Sequence, residues 1–186
     1  MIKKNILLIG CGNIGFRHIE LLIKDRSVKN IYIYDINLNN SKKLIDKFDY
    51  NIKIILIKNL NLKLRNLFLC IISTHSNRRF YLMSKIIRLH NPKYILVEKL
   101  IENNIYEINK YYKELEKKKI YVNCSNRLRT IFIEIKKRYY KKKINMEIKG
   151  GNWNLLSNCI HFIDFLAFIT NEKIKKIKIK KNSYLT

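Results

Sequence analysis

The chain has 186 residues and a formal net charge of +25, which comes from 39 lysines and arginines against 14 aspartates and glutamates. This length holds one domain of ordinary size and part of a second, and it excludes a peptide too short to bury a core. Clustered cations would favour nucleic acid, but the lysines are spread through almost every segment, so we expect no dedicated nucleic-acid surface.

Short apolar runs alternate with amphipathic segments through the first two thirds of the chain. We expect strands at residues 5–9, 31–34, 52–57, 67–73, 94–97 and 120–123, and helices at 14–24, 41–48, 77–89 and 105–118. Ser41 is the expected N-cap of the second helix. This alternation predicts an α/β fold, a doubly wound parallel Rossmann sheet with right-handed crossovers, for a first domain at residues 1–124.

The pattern changes after residue 124. Helices are expected at residues 129–140 and 158–169, and strands at 144–149 and 174–181. Two strands are too few for an independently stable sheet. The sequence therefore predicts an incomplete α+β second domain at residues 125–186.

The cysteines and the apolar runs indicate the cellular compartment of the protein. The four cysteines are far apart and form no CxxC pair, which favours buried thiols over a metal site and predicts a reducing cytoplasm. No apolar run approaches the roughly 20 residues that span a bilayer, and the first apolar run is too short for a secretory signal. We therefore expect a cytoplasmic protein without a membrane partner.

Three of the five glycines fall within the six residues from Gly10 to Gly15, between the first strand and the first helix. In a dinucleotide fold, Gly10 would permit the tight turn, Gly12 would let the pyrophosphate approach the backbone, and Gly15 would let helix and strand pack closely. The N–H groups that open the helix, at Asn13 and Ile14, would then meet the phosphates. A purely structural turn in another α/β protein is the alternative.

Asp35 lies 20 positions after Gly15, at the end of the second strand. A carboxylate there accepts hydrogen bonds from the adenosine ribose and repels a 2′-phosphate. The expected cofactor is therefore NAD rather than NADP.

Two further pairs of residues carry candidate chemistry. Glu98 and Lys99 end the fifth strand, where ligands of open α/β sheets bind, although charged strand ends are also common surface features. His161 and Asp164 are three residues apart on one helix face, and imidazole exchanges protons near neutral pH. A buried structural histidine is the alternative at His161.

Taken together, these segments resemble the Gfo/Idh/MocA family, which includes glucose-fructose oxidoreductase and inositol dehydrogenase. Residues 10–18 are similar to the family's opening, 73–77 to its cofactor loop, 97–99 to its EKP motif, and 126–127 and 150–164 to the segments that follow. The resemblance implies hydride transfer between nicotinamide and a sugar hydroxyl or ketone, with His161 exchanging the hydroxyl proton and Lys99 orienting the oxygen.

The resemblance also implies roles for other residues. Glu98 would lie near the nicotinamide ribose, and Thr74 and Asn77 would line the cofactor cleft. The sugar pocket would include Arg127, Trp153 and Asp164.

Two positions depart from the family pattern. Leu100 replaces the proline of EKP, and Ser157 stands where many members have an aspartate.

The segment around residues 151–161 is similar to one subgroup of the family, which is associated with nonulosonic-acid or other surface-sugar biosynthesis. Family members are about twice as long as this chain.

Three functions remain open at this point. The chain could be a working dehydrogenase, completed by a second polypeptide or a homo-oligomer through its second domain. It could be a truncated, inactive fragment that still holds NAD. The weakest of the three is a basic nucleic-acid-binding protein.

Overall fold

A computed structural model of the chain describes residues 3–46, 52–149 and 155–176. The chain separates into two compact units, Met1–Asn123 and Cys124–Thr186. No helix within the described ranges is both long enough and apolar enough to cross a bilayer.

The first unit is built on a six-stranded sheet in which every pair of neighbouring strands is parallel. The order across the sheet is β3-β2-β1-β4-β5-β6. The strands are β1 (Lys4–Ile9), β2 (Val28–Tyr34), β3 (Lys53–Leu56), β4 (Leu67–Ile72), β5 (Tyr94–Val97) and β6 (Ile120–Val122). This topology confirms the predicted doubly wound Rossmann sheet, whose direction of winding reverses between β1 and β4.

A helix connects each strand to the next one in sequence, except between β3 and β4. These helices are α1 (Asn13–Leu22), α2 (Leu38–Ile45), α3 (Arg79–His90) and α4 (Ile105–Leu115). One core cluster contains residues of α3 and α4 packed on the sheet, including Met83, Ile86 and Leu115. A second cluster contains Ile19 of α1 and Ile45 of α2. The sheet therefore has a separate core on each face, as a doubly wound fold requires.

The predicted role of Ser41 as an N-cap is wrong. The second helix begins earlier than expected, at Leu38, and Ser41 lies inside it. Its hydroxyl donates to the carbonyl of Asn37, four residues earlier, at 3.3 Å. A serine inside a helix satisfies its hydroxyl in this way.

Register brings the carboxyl ends of five strands to one edge. Ile9 pairs with Tyr34 on one side and with Ile72 on the other, Ile72 pairs with Val97, and Val97 pairs with Val122. The next residue of each strand therefore lies at the same level. These residues are Gly10, Asp35, Ser73, Glu98 and Asn123.

In the described part of the second unit, the regular secondary structure consists of helices. A 3-10 turn (Ser125–Leu128) leads into α5 (Thr130–Tyr139), and α6 spans Leu155–Thr170. Phe132 of α5 packs on Phe165 of α6, with ring centroids 4.5 Å apart. The strand predicted at 144–149 is wrong, because these residues have no regular secondary structure and a strand needs a hydrogen-bonded neighbour. The strand predicted at 174–181 lies mostly outside the described residues.

Candidate dinucleotide site

The turn between β1 and α1 can be built only from glycine at two positions. Gly10 has a φ of +88°, and a Cβ there would lie 2.9 Å from the backbone of Ser73 and Thr74. A Cβ on Gly15 would lie 2.0 Å from the carbonyl oxygen of Gly10. Both distances are too short for a real side chain, so the turn packs at backbone contact distance.

Gly12 is different, because a Cβ there would have no atom of the protein within 4 Å. Gly12 is the N-cap of α1, where no side chain caps the helix and no acidic residue lies in its first turn. The neighbouring Ile14 is 48% exposed. The partial positive charge of the helix N-terminus therefore faces open space, where an anionic group fits.

Asp35 is fixed against this turn by two backbone donors. The N–H of Cys11 donates to one carboxylate oxygen at 2.6 Å, and the N–H of Asn37 donates to the other at 2.7 Å. The structure thus joins the predicted acid to the predicted glycine turn. A carboxylate accepts about four hydrogen bonds, so its remaining lone pairs can accept from ligand hydroxyls.

The loop after β4 closes the other side of the turn. The Ser73 hydroxyl donates to the carbonyl of Gly10 at 2.6 Å, and the Ser73 N–H donates to the carbonyl of Ile9 at 2.9 Å. Thr74 follows and is half-buried, whereas Asn77 is exposed two residues before α3. Thr74 thus lies beside the glycine turn, and Asn77 lies further along the same loop.

Glu98 is buried and held through one of its two carboxylate oxygens. His18 Nε2 lies 2.9 Å from Glu98 Oε1, and the side-chain amide of Asn123 donates to the same oxygen at 2.6 Å. Burial alone would raise the pKa of Glu98, but these two hydrogen bonds and the charges of His18 and Arg79 hold that pKa below its ordinary value. The carboxylate is therefore ionised at neutral pH.

A buried arginine connects the loop after β4 to the loop after β5. Arg79 is 3% exposed, and its guanidinium donates to the carbonyls of Thr74, Glu98 and Leu100. Burial lowers the pKa of Arg79, although the charges of Glu98 and Glu102 oppose the shift. Both loops are thus tied to the start of α3.

Glu102 completes this network at the N-terminus of α3. One carboxylate oxygen accepts from the N–H of Phe80 at 3.1 Å, and the other accepts from the N–H of Asn103 at 2.9 Å. A carboxylate suits the N-terminal end of a helix. Sequence reasoning missed four residues, His18, Arg79, Glu102 and Asn123, because nothing in the local pattern marks their long-range partners.

Lys99 follows Glu98 and is half-buried. Its peptide bond to Leu100 is cis, and Arg79 donates to the carbonyl on each side of it. Because it comes two residues after the end of β5, Lys99 lies at the same edge of the sheet as the glycine turn.

The remaining predicted site residues belong to the second unit. His161 is half-buried within α6. Arg127 and Asp164 contact each other directly, with Arg127 Nε 2.9 Å from Asp164 Oδ2. Hydrogen bonding to Asp164 raises the pKa of Arg127 despite partial desolvation. Trp153 lies outside the described residues, as does the side chain of Ser157.

Within the described ranges, no group of three or more His, Cys, Asp or Glu could hold a metal ion.

Comparison with known proteins identifies the first unit. Residues 1–98, more than half of the chain, match the family model described as shikimate / quinate 5-dehydrogenase. No curated protein matches the chain by sequence.

Solved structures of inositol dehydrogenases share its fold. Myo-inositol dehydrogenase from Lactobacillus casei, in complex with NAD(H) and myo-inositol, matches with a TM-score of 0.71 and 16% identity, over 92% of this chain and 55% of that one. Scyllo-inositol dehydrogenase from the same organism, with NAD(H) and scyllo-inositol, gives 0.65 and 14%, over 91% and 56%. Myo-inositol dehydrogenase from Corynebacterium glutamicum gives 0.70 and 14%, over 90% and 55%.

The chain thus spans a little over half the length of these structures. At such low identity the likeness concerns the fold. It confirms at that level the resemblance to the Gfo/Idh/MocA family, which includes inositol dehydrogenases.

Substitution by alanine should destabilise the protein much more at Gly15 than at Gly12. Gly15→Ala places its Cβ against the carbonyl of Gly10 and should lower the free energy of unfolding by about 3 kcal/mol or more. Gly12→Ala adds a methyl group in open space and should cost about 1 kcal/mol or less. Urea denaturation of both variants measures the difference. Equal losses would contradict this account of the turn.

Glu98 should contribute to the pH dependence of stability. Its pKa in the folded protein lies below the ordinary value of 4.5. The ionised carboxylate therefore stabilises the fold above that ordinary value, and the stabilisation is lost as the pH falls through the lowered pKa. Glu98→Gln should flatten the loss of stability below about pH 5, while Glu116→Gln, at an exposed position, should not. Parallel pH profiles for wild type and Glu98→Gln would contradict the assignment.

Proposed function

We propose, from the premise that the chain belongs to the shikimate / quinate 5-dehydrogenase family, that it is an NAD-dependent oxidoreductase. Its substrate would be a sugar or a related polyol, oxidised at a hydroxyl group or reduced at the corresponding ketone. The single observation that carries this proposal is the open space in front of Gly12, at the uncapped N-terminus of α1.

The residues of the turn fit a dinucleotide pyrophosphate. Gly12 leaves room for it, and the first N–H groups of α1, at Asn13 and Ile14, offer donors with the favourable end of the helix dipole. Gly10 and Gly15 bring strand and helix close enough to form this cradle. The structures from Lactobacillus casei that share the fold contain NAD(H).

Asp35 favours NAD over NADP. Its carboxylate lies at the end of β2, where it is held by the N–H of Cys11. The adenosine ribose hydroxyls of NAD can donate to it, whereas the 2′-phosphate of NADP would bring like charges together.

Glu98 would hold the nicotinamide ribose. His18 and Asn123 both form hydrogen bonds with Oε1 of Glu98. Within the described ranges, no side chain forms a hydrogen bond with Oε2. A ribose hydroxyl could therefore donate to Oε2 while the anchored oxygen keeps the carboxylate in place. Thr74 and Asn77 would border the same cleft.

Nicotinamide supplies the hydride acceptor or donor when NAD(H) is bound. In our proposal, Lys99 orients and polarises the substrate oxygen, since its ammonium group follows Glu98 at the carboxyl edge. His161 takes the hydroxyl proton in the oxidative direction and returns it in the reductive one. Arg127, Trp153 and Asp164 would contribute to the substrate pocket, with the Arg127–Asp164 ion pair fixing both side chains.

The substrate class can be stated more narrowly as a second step of the proposal. The resemblance of residues 151–161 to a subgroup associated with nonulosonic-acid or other surface-sugar biosynthesis supports a sugar of that kind as the substrate. The protein would act in the cytoplasm. The alternative function is an inactive NAD-binding fragment. The chain spans just over half of the matched dehydrogenases, so activity has to be tested separately from binding.

Gly12→Val tests cofactor binding. The branched side chain would occupy the space that the pyrophosphate needs, so NAD affinity should fall at least about tenfold, or 1.4 kcal/mol. Leu21→Val, on the exposed side of the same helix, is the matched control. Calorimetric titration with NAD measures both, after melting curves show that both are folded. An unchanged affinity for Gly12→Val would contradict the proposed site.

Lys99→Ala tests the chemistry. The variant should bind NAD as wild type does but lose NADH formation with any substrate that wild type oxidises, because the oxygen is no longer oriented. Lys110→Ala, an exposed position on α4, is the control. A screen of myo-inositol, scyllo-inositol, shikimate, quinate and amino sugars by NADH absorbance provides the substrate. Retained turnover in Lys99→Ala would contradict the role of Lys99, and NAD binding without turnover in wild type would favour the inactive fragment.

A further inference from the structure

Each of the six strands has a lysine or arginine within two residues of its first residue. In sheet order these residues are Lys53, Lys29, Lys4, Arg65, Lys93 and Lys119. Parallel strands all begin at the same edge, so six cations that are far apart in sequence follow one another along that edge, although the register does not put them all at one level. We call this row the basic edge, and at about 4.8 Å per strand it is about 24 Å long.

The cations of the basic edge are available to a ligand. Five of the six are exposed, and Lys4 is half-buried. None of them takes part in the ion pairs found among the described residues. The nearby carboxylate of Asp25 accepts a hydrogen bond from the N–H of Ser27. Hydrogen bonding to Ser27 and, to a smaller extent, the charge of Lys4 lower the pKa of Asp25. The row therefore keeps a strong positive charge.

Three aromatic rings lie beside this row on neighbouring strands. Phe68 of β4 and Tyr94 of β5 have ring centroids 5.2 Å apart, and Tyr94 and Tyr121 of β6 are 6.3 Å apart. Tyr121 is 56% exposed. Lys4 lies 4.7 Å from the centre of the Phe68 ring, and Lys119 lies 5.6 Å from that of Tyr94. We call Phe68, Tyr94 and Tyr121 the aromatic row.

We propose that the basic edge and the aromatic row together bind single-stranded nucleic acid without sequence specificity. Cations neutralise the phosphates, and aromatic rings stack on bases of any kind. A duplex or an anionic membrane would use only the charges, because neither presents free base faces. Helices α3 and α4 end at this same edge, so cations there suit the helix dipoles, but the dipoles do not account for the aromatic row.

This surface and the candidate dinucleotide site lie at opposite edges of the sheet. The glycine turn follows the end of β1, whereas Lys4 begins it, and six residues of strand extend about 20 Å. The two sites should therefore bind their ligands independently. Nucleic-acid binding at the basic edge therefore does not depend on the proposed dehydrogenase function.

Fluorescence anisotropy of the full chain with a labelled oligothymidylate of about twelve nucleotides tests the proposal. The edge variant replaces Lys29, Lys93 and Lys119 with Gln, and the control variant replaces Lys110, Lys113 and Lys142, which are equally exposed. The edge variant should bind more weakly, and its slope of log affinity against log salt should be flatter by about two. The control variant should behave as wild type.

The aromatic row has its own test. Tyr121→Ala should weaken oligothymidylate binding at least about fivefold, and Tyr121→Phe, which keeps the ring, should retain it. Melting curves establish that the variants fold, and the exposure of Tyr121 makes folding of both variants the expected result. Saturating NAD should leave oligothymidylate binding unchanged.

Four results would overturn the proposal. The first is an equal loss of affinity in the edge and control variants, which would mean binding through overall charge. The second is unchanged binding by Tyr121→Ala together with equal affinity for duplex DNA. The third is binding to phosphatidylglycerol vesicles but not to oligothymidylate. The fourth is displacement of oligothymidylate by NAD, which would place it in the dinucleotide site.

Discussion

The contact between Gly10 and Gly15 determines how the first unit can present a ligand site. Helix α1 lies so close to the turn that a Cβ on Gly15 would be 2.0 Å from the carbonyl oxygen of Gly10. The Ser73 hydroxyl fixes the same carbonyl from β4, and Asp35 fixes the N–H of Cys11 from β2. The tight turn is thus held from both neighbouring strands, and the free N-terminus of α1 is directed at open space. Cofactor binding, as we propose it, follows from this packing.

A second constraint is the alignment of parallel strands at both edges of the sheet. At the carboxyl edge it brings Gly10, Asp35, Ser73, Glu98 and Asn123 to one level. At the amino edge it places the six cations of the basic edge in a row. Residues that are separate in sequence become neighbours at both edges for the same geometric reason. The ligands that we propose differ because the carboxyl edge carries the uncapped N-terminus of α1 and two carboxylates, whereas the amino edge carries cations and aromatic rings.

Local sequence patterns predicted the parts of the molecule whose causes are local. The glycine turn, the acid that follows it and the alternation of strands and helices are short-range signals, and the sheet they predicted is confirmed. His18 and Glu98 are 80 residues apart, so no spacing rule could pair them, and the same holds for the contacts of Arg79. No described strand lies beside the segment at residues 144–149, and a hydrophobic pattern does not report whether a partner strand is present. The scattered cations appeared featureless in sequence because their arrangement along the basic edge depends on the order of the strands in the sheet.

Calorimetric titration of the wild-type chain with NAD and with NADP shows whether this turn holds NAD. We expect NAD to bind at a single site and NADP to bind at least about tenfold more weakly, because the 2′-phosphate of NADP would face the Asp35 carboxylate. Tighter binding of NADP would contradict the role of Asp35. A folded chain that binds neither dinucleotide would contradict the site itself.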